Sequence, residues 1–194
     1  MSTSKFEFSQ IAALLRRSEN DARVRDFFGP AITNIERDEY YGSLEFKSDG
    51  VDVVFKEAPW IVPADEVVDP EELYLAAFHL HREGHEGYSG YSCQLPNGVA
   101  LGDPEDEVLR KMGPPHSSGG GGISKLLKRP VPRWFRYALG GSFLHFQLDA
   151  AGLVDMVTLD ASDGQAGLTA RLAHTRVATT GGAPSRRGSS MDGQ

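Results

Sequence analysis

A chain of 194 residues, 40% of them hydrophobic, is long enough for one well-buried core or for two small lobes that share one. No apolar run approaches the roughly 18–20 residues that cross a bilayer as a helix, and a single cysteine, Cys93, excludes an internal disulfide. The formal charge of −7 is unevenly spread: residues 163–194 hold four arginines against two aspartates, which leaves −9 on the first 162 residues. An acidic body disfavours nucleic acid, whose binding rests on Lys and Arg neutralising phosphates. It suits a cationic protein partner, whose approach it accelerates. Residues 1–7 show no hydrophobic signal core, so with the lone cysteine the expected location is cytoplasmic, with no membrane association.

The first predicted helix opens at Phe8-Ser9, with Ser9 as N-cap and Ile11, Leu14 and Leu15 on one face. Ser18 caps a second, with Asp21 three residues on; Val24, Phe27 and Phe28 form its apolar stripe and Gly29-Pro30 ends it. Strands follow over 40–46 and 51–55, joined at Ser48-Asp49-Gly50, and a third over 75–81. The stretch 57–72 reads as a Pro-rich acidic loop. Asp103 caps a third helix with Pro104 at its first position, Val108 and Met112 on its apolar face and Gly113-Pro114 at its end. A long loop over 115–132 holds four consecutive glycines and then Lys125, Lys128 and Arg129. Three more strands are expected over 134–139, 143–148 and 153–159, and residues 163–194 read as a disordered tail with a frayed helix near 168–177.

The chain therefore says one thing twice: a short helix ending at Gly-Pro, then an aromatic-rich three-stranded meander. The expected architecture is α+β, one domain over 1–162 built from tandem repeats at about 9–82 and 95–160. Their strands form an antiparallel sheet with helices packed on one face. Phe55 with Phe146, and Leu80 with Leu159, are the positions that such a duplication would match.

Few residue patterns suggest chemistry. His79 and His81 on a strand project to one face about 7 Å apart, with His85 or Glu83 as a third metal ligand; the same residues also suit a solvent-facing strand edge running into a polar turn. Gly119–Lys125 departs from the phosphate-loop order, because Lys125 follows Ser124. Gly87–Ser92 lacks the glycine two places after Ser89 that a nucleophile elbow requires. Cys93 reads as a small buried apolar residue. Tyr40, Tyr41, Trp60, Tyr88 and Tyr91 cluster near strand starts and loops, where aromatics serve either as interface anchors or as the rim of the core.

The segment DEVLRKMGPP, followed after the long loop by WFRYALGGSFLHFQLDAAGLVDMVTL, resembles the helix-plus-meander repeat of the beta-lactamase-inhibitor-like fold. With EGYSGYSCQLPNGVALGDPEDEVLRKMGPP, the chain is similar to uncharacterised cytoplasmic proteins placed among the immunity proteins of bacterial toxin systems. The resemblance covers about residues 9–160. An acidic, duplicated scaffold with aromatics and acidic loops and no catalytic set points, beside that resemblance, to a non-enzymatic binding protein of the immunity type that occludes a toxin, with no cofactor and with a cationic toxin domain as partner. Tyr40, Tyr41, Trp60, Asp65, Glu66, Tyr88 and Tyr91 are the expected partner-binding residues. The alternative is a metal-binding protein or metal-dependent enzyme that uses His79, His81 and His85.

Overall fold

The structure, a computed structural model, describes residues 5–38, 41–63, 66–67, 69–124, 126 and 128–161. The expected tail at 163–194 lies outside the described residues. Helix α1 (Phe8–Leu14) buries Ile11 and Leu14; Ser9, expected as its cap, lies inside it. Helix α2 (Ala22–Phe28) is capped by Asp21, whose side chain accepts from the Arg23 N–H at 2.8 Å. Ser18, the expected cap, instead bridges to Tyr74 and hydrogen-bonds Glu72. Gly29, at φ +58°, ends α2 by donating to the Arg25 carbonyl, and a 3₁₀ turn over Gly29–Asn34 carries the chain on. The two-residue strand β1 (Glu36–Arg37) escaped the sequence pattern, being too short to alternate.

Strands β2 (Tyr41–Phe46), β3 (Val51–Glu57) and β4 (Leu73–His81) form the first meander. Helix α3 (Glu105–Met112) has Pro104 at the cap; Asp103 instead accepts from the Ala100 N–H at 2.8 Å and from Lys111 Nζ at 2.7 Å. The long loop folds in part, into β5 (Ser117–Gly119) and a ribbon of β6 (Gly122–Ile123) with β7 (Pro130–Val131). β8 (Trp134–Leu139), β9 (Ser142–Leu148) and β10 (Val154–Asp160) make the second meander.

The main sheet runs β1-β2-β3-β4-β10-β9-β8-β5, all antiparallel, so the two meanders meet at their third strands. Across that seam Leu80 pairs with Val157 and Phe78 with Leu159, and the next strands set Val53 beside Phe78 and Phe146 beside Val157. Phe55 lies beyond a register shift after Val54, beside Leu75, and Leu148 lies beside Val154.

One continuous apolar cluster takes Ile11, Leu14, Val24, Phe28 and Val108 from the helices. From the sheet it takes Val51, Val53, Phe78, Leu80, Phe135, Leu144, Phe146, Val157 and Leu159. Strand alternation puts these sheet residues on one face, so all three helices lie on that face. On the other face, Ala58, Ile61, Val62, Tyr74 and Ala76 form a smaller cluster against which Val54 and Trp60 pack. It covers one end of that face. Among the described residues no α-helix covers the rest.

Candidate functional site

The register lines up one polar residue per strand on the face opposite the helices. Glu45 stands beside Asp52, Asp52 beside His79, His79 beside Thr158, Thr158 beside His145 and His145 beside Arg136. This row crosses the seam between the meanders.

Asp52 is its hinge. One carboxylate oxygen lies 2.8 Å from His79 Nδ1 and the other 2.7 Å from His81 Nε2. Burial alone would raise the Asp52 pKa, but the hydrogen bonds and charges of His79 and His81 outweigh it and hold the carboxyl at about 2. His81 is 1% exposed, although it is on the helix-free face. Its cover is Tyr88, whose ring stacks on the imidazole at 3.9 Å and 7°. Burial, and next the neighbouring Asp52 charge, push the Tyr88 hydroxyl well above its ordinary range, so it stays protonated.

The segment after β4 is tied down from several sides. Tyr91 N–H donates to the His81 carbonyl and His81 N–H to the Gly50 carbonyl, both at 2.8 Å, and Ser89 N–H donates to Lys47 at 2.9 Å. Within this fold His85 Nδ1 hydrogen-bonds Asp155, which sits at the β-bulge opening β10. Arg82 joins Asp155 at 3.0 Å and Asp149 at 2.7 Å. The His81 and His85 rings lie 5.1 Å apart, and Glu86, held at φ +46°, brings a carboxylate oxygen to 3.9 Å from His85 Nε2. His81 Nδ1 is buried with no hydrogen-bond partner. Among the described residues, His81, His85 and Glu86 each offer a ligand atom within 4.8 Å of the others.

The metal alternative drawn from the sequence is therefore corrected in one member. His79 faces Asp52 and its ring is 6.5 Å from that of His81, while Glu86 stands in the third place. The signal for Glu86 was present in His85-Glu86, but only a left-handed turn brings the two side chains together. Asp52 and Asp155 gave no signal of their own, because their roles come from cross-strand register.

The other half of the row is aromatic. Trp134 meets His145 edge to face at 5.4 Å, and the Arg136 guanidinium lies over Phe143 at 3.8 Å, near Asp160 at 3.8 Å. Burial, then the Arg136 charge, lower the His145 pKa.

The expected partner-binding residues scatter. Tyr41 is 44% exposed on β2, on the helix-free face with Ser43 and Glu45, and Glu66 is exposed. Trp60 is half-buried at the margin of the smaller cluster. Tyr88 and Tyr91 are buried: one is spent on His81, and the other donates its hydroxyl to the Phe6 carbonyl at 2.8 Å. They are internal braces rather than surface anchors. Tyr40 and Asp65 lie outside the described residues. Cys93 is half-buried against the main core.

No family model matches the chain. A solved structure of a DUF4309 family protein (YjgB) from Bacillus subtilis is similar at 13% identity and a TM-score of 0.40, over 79% of this chain and 92% of that one. At that level the likeness bears on neither family nor function. Among the described residues no helix is long and apolar enough to cross a membrane.

Proposed function

We propose that this chain is a non-enzymatic protein-binding module made of two helix–meander repeats, and that it serves in the cytoplasm as an immunity-type protein that occludes a bacterial toxin. The observation that carries the binding reading is the sheet face opposite the α-helices, where Tyr41, Trp134 and Phe143 remain at least partly exposed and Trp60, in a 3₁₀ turn, stands at the margin of the smaller cluster. Rigid, partly exposed aromatics on a sheet are the usual anchors of protein recognition. The acidic body accelerates encounter with a cationic toxin domain.

The repeat reading draws support from the seam. Leu44 and Phe135, Val53 and Phe146, and Leu80 and Leu159 occupy corresponding buried stations on either side of it. Each meander also follows a helix whose C-cap is a glycine at positive φ.

The test is a pull-down from the producing cell, comparing the wild type with a Tyr41→Ala, Phe143→Ala double variant of matched thermal stability. A partner held by the wild type and lost by the variant is the expected result. Capture that is the same for both proteins removes the assigned face. For the toxin part, deleting the gene should sensitise the cell to a toxin encoded beside it, and unchanged tolerance counts against immunity.

A further inference from the structure

The geometry points to a divalent-metal site of the zinc class, with His81 Nδ1, His85 Nε2 and the Glu86 carboxylate as ligands. Three observations lead there independently of the proposed partner.

The first is tautomer control. His81 Nε2 lies 2.7 Å from the Asp52 carboxylate, so that nitrogen is the one that donates there, and Nδ1 is the one left to bind a cation. Asp155 engages His85 at Nδ1, which leaves the lone pair on Nε2. Two imidazoles, each with one nitrogen held by a carboxylate and the other presenting a lone pair, form the carboxylate–histidine arrangement that orients metal ligands and raises their basicity.

The second is the orphan. His81 is 1% exposed, and its Nδ1 is the one buried side-chain polar atom without a hydrogen-bond partner among the described residues. A buried acceptor with nothing to accept from is costly, and a cation removes that cost.

The third is convergence. Glu86, in a left-handed conformation, brings its carboxylate beside His85, and one ligand atom from each of the three residues lies within 4.8 Å of the others. The Glu86 side chain is 75% exposed, so the outermost ligand faces solvent and water can complete a fourth position. Two imidazole nitrogens and one carboxylate favour zinc or its late first-row neighbours over magnesium and calcium, which require shells of oxygen.

The experiment uses tag-free full-length protein, stripped with chelator and titrated calorimetrically with zinc, and with magnesium and calcium in parallel. Cobalt(II) absorption reports the coordination geometry. His81 is too deeply packed for a clean substitution, so the variants are His85→Ala and Glu86→Gln, with His116→Asn as control. The expected result is one zinc per chain at sub-micromolar Kd, a tetrahedral cobalt spectrum and no comparable magnesium or calcium binding. Affinity should fall at least about ten-fold in each ligand variant and be unchanged in the control. Zinc binding weaker than about 10 μM, or affinity preserved in both ligand variants, overturns the site.

Discussion

Asp52 shows how one side chain can depend on neighbours far away in the sequence. Among the alternating residues of β3 it is only the polar step between Val51 and Val53, yet register sets it opposite His79 and within reach of His81. Its folded pKa of about 2 lies below the ordinary 3.8, so the unfolded chain binds the proton more readily. The stabilisation it contributes is therefore complete above about pH 4 and is lost as pH falls through about 2. Urea midpoints for wild type and Asp52→Asn should differ most above that window and converge within it. A gap that stays constant down to about pH 2 would show that the two histidines do not hold this carboxylate in its ionised form.

At the scale of elements, the loop that builds the histidine cluster depends on the β2–β3 turn. Gly50 sits at φ +70°, and a Cβ there would meet the Tyr91 nitrogen at 2.2 Å and the Gly90 carbonyl carbon at 2.3 Å. Its carbonyl also receives the His81 N–H. Gly50→Ala combines left-handed strain with a backbone clash, so it should cost roughly 2 kcal/mol or more in denaturant unfolding. A loss of only a few tenths would mean that residues 82–91 are not docked on this turn. The Ser48-Asp49-Gly50 turn was legible in the sequence, because glycine is the residue such a turn needs. The contact that makes Gly50 hard to replace was not, since it comes from residues forty positions on.

At the scale of the whole molecule, the two meanders share one main core. The main apolar cluster includes residues of both meanders and all three helices, and β4 pairs with β3 on one side and β10 on the other. Cutting the chain between the two meanders would uncover Phe78 and Leu80 and leave an unpaired central strand. Unfolding should therefore be one cooperative transition, coincident by near- and far-ultraviolet circular dichroism. Fragments 1–94 and 95–194 should each fail to fold alone. Two separated transitions, or a stable isolated fragment, would contradict a shared core.

Local pattern determined much of this protein. Period-two alternation marked six strands, glycine at positive φ closed α2 and α3, and the HLH…HE run marked where polar chemistry gathers. The caps differ from expectation at Ser9, Ser18 and Asp103: Glu72 holds the Ser18 hydroxyl, the Ala100 N–H and Lys111 on α3 hold the Asp103 carboxylate, and Ser9 lies inside its helix. Tertiary structure alone decided that the meanders join at β4 and β10, that Tyr88 turns inward over His81, and that Glu86 rather than His79 lies together with His81 and His85. The reason is physical: alternation tells which face a side chain takes, but only cross-strand register and loop closure tell whom it meets there.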